Sequence, residues 1–380
     1  MFTVKTLNKI ASVGTDRLDR RYFSVDDTSD APDAIIVRSA DMSEYNMNPG
    51  LKCIARAGAG YNNIPISACA EKGIVVFNTP GANANGVKEL VICALLLASR
   101  DIVGGISWVN SCADKGSELA ALVEKQKSKF TGPEIFGKSL GIVGLGAVGY
   151  KVAIAAKALG MEIIGYDPFL SEQTVNSLAG TAEIVGDLDE LYSKADYISL
   201  HLPMTADTKG MIDGEAIAKM KYGVRIVNIA RGELVDDPSM LSALKSGKVS
   251  KYVTDFPNGE IAGAEGVIAI PHLGASTPES EDNCAIMAAD QISELLLKGN
   301  IINSVNLPNI SLELSGNSRV LVIRRSNVPL CDLLEVVGPA NASADRTRGD
   351  YSVAIIDTDN SDGIADKLTA IEGVIRVITI

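Results

Sequence analysis

The stretch Ser139-Leu140-Gly141-Ile142-Val143-Gly144-Leu145-Gly146-Ala147-Val148-Gly149-Tyr150, running on to Tyr166-Asp167-Pro168, decides how this chain folds. Leu140, Ile142 and Val143 form the kind of apolar run that fills a buried strand. Gly144, Gly146 and Gly149 follow in G-x-G-x-x-G spacing. A helix-like segment then carries Val152, Ala155, Ala156 and Leu159 on one side, and Gly160 ends it. Met161, Ile163 and Ile164 make a second apolar run that leads to Asp167. The order strand, glycine turn, helix, strand, acid is the one a dinucleotide site requires. Gly144 permits the tight turn, Gly146 lets the backbone approach a diphosphate, and Gly149 lets the helix lie against the strand. The diphosphate then faces the unpaired N–H groups and the positive dipole end of that helix. Asp167 comes 21 positions after Gly146, the usual distance to the acid that binds the ribose hydroxyls. A carboxylate there repels a 2′-phosphate, and no arginine follows in Pro168-Phe169-Leu170, so NAD is expected rather than NADP.

The totals fit that reading. A chain of 380 residues is too long for one ordinary core and divides naturally into two or three domains. Its 46% hydrophobic and 22% charged residues are those of a soluble globular protein. A net charge of −12 argues against a nucleic-acid partner, which would need a basic face. The cysteines, at 53, 69, 93, 112, 284 and 331, lie far apart without a C-x-x-C pair, and read as reduced and mostly buried thiols. No Cys/His cluster has metal spacing, so no metal is expected. The N-terminus lacks a signal-peptide pattern, and the apolar run Leu90–Ala98 is too short to span a membrane, so the expectation is a cytoplasmic protein.

Upstream of the glycine turn, Ala34–Val37, Cys53–Arg56 and Ile74–Phe77 are short apolar runs, each ending in small or polar residues as parallel strands do. Gly58-Ala59-Gly60 lacks the rest of a nucleotide fingerprint, which makes this first domain the candidate substrate domain. Val87–Asp101 is apolar around most of its circumference and predicts a buried helix. Ile102–Lys129 is helical in pattern and holds the one tryptophan, Trp108, suited to a core or an interface. Beyond Asp167, strands are expected at Ala195–Leu202, Val224–Ala230, Lys251–Asp255 and Gly266–Ile270, and a helix at Ser280–Lys298 that returns to the first domain. Pro308–Gly316 reads as a linker. The tail reads strand, helix, strand, helix, strand over Arg319–Arg324, Leu330–Val337, Tyr351–Asp357, Gly363–Ala370 and Val374–Ile380, a compact α+β module.

Ligands of an open parallel sheet sit beyond the carboxyl ends of its strands, so the polar residues there are the first candidates for chemistry. Only two histidines exist, His201 and His272, and histidine exchanges protons most readily near neutral pH. His272, in the polar loop Ile270–Thr277, is the preferred proton carrier. His201 lies within an apolar run and reads as a packed side chain. Arg231 directly follows the Val224–Ala230 run and can offer two parallel N–H donors to a carboxylate, although a surface ion pair to Glu233 or Asp236 would suit it too. Glu260, near His272, could orient the imidazole; only 11 residues separate the two.

Three strings together, Gly141–Asp167, Asn228–Asp236 and Pro271–Thr277, resemble the D-isomer-specific 2-hydroxyacid dehydrogenases, and Val37–Ala40, Ala57–Asn63 and Asn78–Asn85 strengthen the likeness. The resemblance covers roughly residues 30 to 310. It implies an α/β fold in which a Rossmann-type nucleotide domain is inserted in a flavodoxin-like substrate domain, followed by a small ACT-like α+β domain. The expected divisions are 1–99 and 277–308 for the substrate domain, 100–276 for the NAD-binding domain, and 317–380 for the C-terminal domain. The resemblance implies Arg231, Glu260 and His272 as the catalytic set, with His272 as acid and base. It implies cofactor contacts from Gly144, Gly146, Ala147, Val148, Gly149, Asp167, Pro203, Thr208, Ala230, Arg231, Asp255, His272 and Gly274. Arg38, Ser39, Gly60 and Asn83, with Arg231 and His272, would line the substrate pocket. The implied reaction is NAD-dependent oxidation of a small hydroxyacid with a second anionic group, such as 3-phosphoglycerate. The alternatives are glycerate, lactate or a related acid, or a non-catalytic NAD sensor. Members of the family are usually dimers or larger, so a homo-oligomer is expected. In the ACT-like tail, Leu330 stands where the family usually has glycine, which favours assembly over effector binding as the module's role.

Overall fold

A computed structural model describes all 380 residues. The chain divides into two compact units: Met1–Asn83 with Pro278–Ile380, and Ala84–Thr277. In the first, the strands β1 (Phe2–Leu7), β2 (Phe23–Val25), β3 (Ala34–Val37), β4 (Cys53–Arg56) and β5 (Val75–Phe77) pair in parallel in the order β2-β1-β3-β4-β5. This is the flavodoxin-like order. Every residue of β3 and β5 is buried, because both faces of the sheet are covered; this explains the unbroken apolar runs. One covering element is the helix Pro278–Lys298, whose Cys284, Ala288, Ala289, Ile292, Leu295 and Leu296 join Ala34, Ile36, Cys53 and Ala55 in one core.

The second unit carries β6 (Ser139–Val143), β7 (Glu162–Tyr166), β8 (Ala182–Ile184), β9 (Tyr197–Leu200), β10 (Val224–Asn228), β11 (Val249–Thr254) and β12 (Val267–Ala269). All pair in parallel, in the order β12-β11-β10-β9-β6-β7-β8. Strands after β6 grow outward first on one side and then on the other, so the reversal falls between β6 and β9, where an open sheet leaves a crevice. The expected boundary at residue 99 moves to 83: the helix Ala84–Ser99 packs Val87, Val91, Ala94, Leu95 and Ala98 into the core of this unit, beside Val152 and Ala156. Apolar patterning announced its burial, but not which sheet it would cover. Trp108 lies on the helix Ile102–Ser111, which has no buried residue, and its ring meets Phe130 at 5.5 Å. No single helix is long and apolar enough to cross a membrane.

The tail holds β13 (Ser318–Arg325), β14 (Ala342–Arg348), β15 (Tyr351–Thr358) and β16 (Val374–Thr379), with helices Leu330–Val337 and Ile364–Thr369. The sheet is antiparallel in the order β14-β15-β13-β16, a βαββαβ arrangement of ferredoxin-like connectivity. The strand β14 adds to the expected tail, because Ala342-Ser343-Ala344-Asp345-Arg346-Thr347-Arg348 is a polar edge strand with no apolar alternation to announce it. Pro308–Gly316, expected as a linker, is packed instead: Pro308 and Ile310 are buried and Ile310 pairs with Ile301. Nor is the module a separate body. Leu321, Ile323, Val353, Ile355 and Ile378 on one face of its sheet share the first unit's core, while Val320, Val322, Ala354 and Ile356 on the other face meet its own helices. All six cysteines are free, but only Cys53, Cys69 and Cys284 are buried, fewer than their type suggested.

Polar staples accompany that shared core. Glu71, on the helix Ile66–Glu71, receives Arg325 and the Tyr351 hydroxyl, and Arg376 donates to the Lys72 and Pro49 carbonyls. Arg319 is 1% exposed and Asp357 is fully buried; they form two parallel bonds of 2.6 and 2.8 Å, and Arg319 also donates to the Lys298 carbonyl. Breaking a buried pair from one side strands a charge, whereas removing both members spares that penalty. Arg319→Met is therefore expected to lose about 3–5 kcal/mol in urea unfolding, and Arg319→Met with Asp357→Leu to recover most of it. A single variant within about 0.5 kcal/mol of the parent would refute this account of the pair.

Candidate active site

The carboxyl ends of β6, β10 and β11 gather the polar residues singled out above for the second unit. At β6, Gly144 turns with φ 92° and donates to the Tyr166 carbonyl at 2.8 Å. A Cβ there would lie 2.7 Å from the His201 carbonyl oxygen, so only glycine fits the turn beside β9. A Cβ on Gly149 would come within 2.0 Å of the Gly144 carbonyl, so the helix Ala147–Ala158 reaches the strand only through glycine. Gly146 sits at the N-cap, has nothing within 4 Å of its missing Cβ, and no side chain caps the helix. The N–H groups of Ala147 and Val148 thus open onto free space at the positive end of the helix, the geometry that receives a diphosphate. Asp167 ends β7 and accepts from the Leu145 and Phe169 N–H groups, both at 2.9 Å, which ties its carboxylate to the glycine turn. Thr208 donates to the Pro203 carbonyl at 2.7 Å and stiffens the loop after β9.

Beyond β10, Asn228 has a role that its place in the sequence alone does not assign. Fully buried, it accepts from the Ala230 and Arg231 N–H groups through Oδ1 and donates to the Arg231 carbonyl at 2.8 Å. It fixes the backbone from which Arg231 projects. An asparagine closing an apolar strand was the available signal. The Arg231 guanidinium bonds the Ala230 carbonyl at 2.6 Å and forms no ion pair, so the surface-pair alternative to Glu233 or Asp236 is not what the structure shows.

An open pocket of about 480 Å³ follows, lined in part by Gly232, Asp255, Phe256, Asn258 and His272. His272 is exposed, and its ring meets Phe256 at 4.7 Å. Nothing in the sequence tells a phenylalanine packed against a site histidine from a core one, and Phe256 carries no such signal. Asp255, 1% exposed, accepts from the Gly274 N–H at 3.0 Å through Oδ2, while Oδ1 is buried without a donor. Burial raises the Asp255 pKa, opposed by the Gly274 N–H and by the charges of His272 and Arg231. A buried carboxylate oxygen facing no protein donor suits an amide N–H₂ from a ligand, as a nicotinamide carries. Together the open helix end, Asp167 and this orphan oxygen fit a dinucleotide.

Glu260 is the member of the expected set that the structure does not bring in. It lies exposed in the turn after Asn258, its N–H bonded to the Asn258 Oδ1, and it makes no ion pair with His272. The short connection to His272 folds as the turn Asn258–Ala264, and Asp255 is among the carboxylates that line the pocket with the imidazole. In the first unit, Arg38 pairs with Glu281 at 2.7 Å, the Ser39 N–H donates to Asn8, and Gly60 and Asn83 are half-buried.

His201 is a packed side chain. Its ring nitrogen is 2.9 Å from the Ser199 hydroxyl, and burial holds its pKa down at about 4. It stays neutral when folded, whereas the unfolded chain takes up a proton near pH 6.5, so stability falls as pH drops from about 6.5 towards 4. The slope from this residue is about 1.4 kcal/mol per pH unit. Unfolding measured across that window should show His201→Gln losing the slope; an unchanged profile would exclude burial as the cause.

Over residues 94–274 the sequence matches the family model described as "D-isomer specific 2-hydroxyacid dehydrogenase, NAD binding domain". It is 39% identical over 272 residues to the D-3-phosphoglycerate dehydrogenase of Methanocaldococcus jannaschii, covering 70% of this chain and 49% of that one. The chain spans about half the length of the curated relatives it matches. Among solved structures, the NAD+-bound 3-phosphoglycerate dehydrogenase of Entamoeba histolytica superposes with a TM-score of 0.63 at 31% identity, over 80% of this chain and 98% of that one. The D-mandelate dehydrogenase of Rhodotorula graminis superposes with a TM-score of 0.68 at 25% identity, over 82% of this chain and 99% of that one.

Proposed function

The chain belongs to the D-isomer-specific 2-hydroxyacid dehydrogenase family, and from that membership we propose that it oxidises 3-phospho-D-glycerate to 3-phosphohydroxypyruvate with NAD, the entry step of serine synthesis. The observation that carries the reading is the pocket beyond β11, lined by both His272 and an Asp255 whose Oδ1 has no protein donor. NAD, when bound, supplies the acceptor for the hydride that leaves C2 of the hydroxyacid. His272 takes the proton of the C2 hydroxyl, and its exposure leaves it open to substrate and then to solvent. Arg231 holds the substrate carboxylate and polarises the forming carbonyl, from a backbone that Asn228 fixes. The Ala147 and Val148 N–H groups hold the diphosphate, Asp167 the ribose, and Asp255 Oδ1 the carboxamide, with Pro203, Thr208 and Ala230 shaping the remaining walls. Phe256 packs its ring against the imidazole, and the charge of Asp255, which lines the same pocket, acts on His272 in place of Glu260. In the first unit, Arg38 is the anion partner proposed for substrate. The ACT-like role of the tail is proposed as structural rather than effector-binding, because Val328 fills the loop before its first helix and its carbonyl accepts from Arg324.

Activity with 3-phosphohydroxypyruvate and NADH tests the reading. His272→Ala should lower kcat by about 10²–10⁴-fold, and Arg231→Ala should both raise KM and lower kcat. Asp255→Asn is expected to cost roughly tenfold or more in kcat/KM and Glu260→Gln roughly threefold or less; the reverse order restores Glu260. Faster turnover of unphosphorylated glycerate or mandelate would shift the substrate within the family, and NADH binding without turnover of any hydroxyacid would favour a sensor.

Self-association is proposed through the helix Ile102–Ser111. Ile102, Val103, Ile106 and Val109 are 37 to 57% exposed on a helix with no fully buried residue, a face that a second copy would cover. Ile106→Glu should move the protein to monomer mass in sedimentation; unchanged mass would place the interface elsewhere.

A further inference from the structure

Opposite the glycine turn, at the amino ends of β6, β9 and β10, the second unit holds a small pocket of about 130 Å³ lined in part by Lys138, Asp196, Lys221, Tyr222 and Arg225. Three cationic residues and one acid around one opening is an unusual balance in a chain of net charge −12. The acid is already satisfied. Asp196 accepts from the Ser139 N–H and hydroxyl through Oδ2 and pairs with Lys221 at 2.9 Å through Oδ1, and these bonds hold its pKa low against the opposing cost of burial. That pair neutralises Lys221 and leaves two cations over. Lys138 is exposed and makes no hydrogen bond or ion pair through its ammonium. Glu134, close to it in sequence, forms an ion pair with neither Lys138 nor Arg225.

Arg225 is the more telling of the two. Its Nε donates to the Ala98 carbonyl at 2.9 Å, its Nη1 lies 3.4 Å from the Gly223 carbonyl, and its guanidinium lies 5.3 Å from the centre of the Tyr197 ring. The group is held at a fixed angle by partners that do not neutralise it, and Nη2 has no protein acceptor. A pre-oriented guanidinium loses little freedom when it meets an oxyanion, and a fork of N–H donors matches tetrahedral oxygens. The volume limits the occupant: drug-sized ligands need roughly 300–1,000 Å³, so this opening takes one small ion or the terminal group of a larger molecule.

We propose that this pocket is a binding site for a phosphate group, free or at the end of a small phosphomonoester, held by Arg225 and Lys138 with Lys221 at its rim. The site is separate from the nucleotide crevice, since it lies at the other ends of the same strands, and it does not depend on the dehydrogenase reading. Occupancy would stabilise the second unit by mass action, because the unfolded chain offers no such cluster.

The test is calorimetric titration of the intact protein, kept saturated with NADH, with inorganic phosphate and separately with glycerol 3-phosphate, at constant ionic strength set with chloride. Phosphate should bind to the parent and raise its melting temperature. Lys138→Gln, a change at an exposed side chain without partners, should weaken that binding by roughly fivefold to tenfold and leave the melting temperature without phosphate unchanged. Arg225→Gln should abolish it. Tighter binding of glycerol 3-phosphate than of phosphate, with the same sensitivity to Lys138→Gln, identifies a phosphomonoester as the occupant, and the opposite order identifies the free ion. No phosphate binding to the parent, or equal affinity in the parent and Lys138→Gln, would overturn the proposal.

Discussion

The second unit depends on one close approach. The helix Ala147–Ala158 lies against the turn after β6 so tightly that a single methyl group on Gly149 would sit 2.0 Å from the Gly144 carbonyl oxygen. That contact sets the helix angle and leaves its first N–H groups facing the crevice between β6 and β9. It also brings Asp167 within reach of the Leu145 N–H, so the acid that ends β7 is tied to the glycine turn itself. If the helix were displaced by a side chain, the open helix end and the ribose acid would lose their common geometry.

At the next carboxyl ends the same logic works through polar side chains rather than glycine. Asn228 has no freedom to do otherwise, because a fully buried amide must satisfy its donors and acceptor, and the nearest groups belong to Ala230 and Arg231. Asp255 is the converse case, with one oxygen bonded to Gly274 and the other left over. Unpaired buried oxygens are costly, and they persist where a ligand completes them. An arginine on a backbone fixed by Asn228, on the neighbouring strand end to an incompletely satisfied acid, is what separates this corner of the sheet from ordinary strand ends.

The C-terminal module shows how little a domain's own pattern says about its surroundings. Its sheet is apolar on both faces: one covers its own helices, and the other closes the core around the helix Pro278–Lys298. Arg319 and Asp357 are buried where that helix meets the module, with Arg319 also capping the helix at Lys298. This packing favours the module as a brace for the first unit.

The residues from Ser139 to Asp167 were enough to settle the nucleotide fold, because a glycine spacing, a helix period and an acid at a fixed distance are all local properties. The alternating runs settled the parallel sheets for the same reason, and Arg231 and His272 were legible as polar residues just beyond strand ends. What lay outside local reach was decided by packing. The side on which Ala84–Ser99 is buried depends on a sheet formed by residues far away in sequence, and β14 pairs as an edge despite its polarity because β15 offers it a ladder. Glu260 is the clearest case. Its sequence position predicted a partner for His272, but Glu260 is exposed in the turn that closes the short connection, and it is Asp255, at the end of β11, that lines the pocket with His272. Sequence determines which groups are available at each strand end; only the three-dimensional path of the loops determines which of them meet.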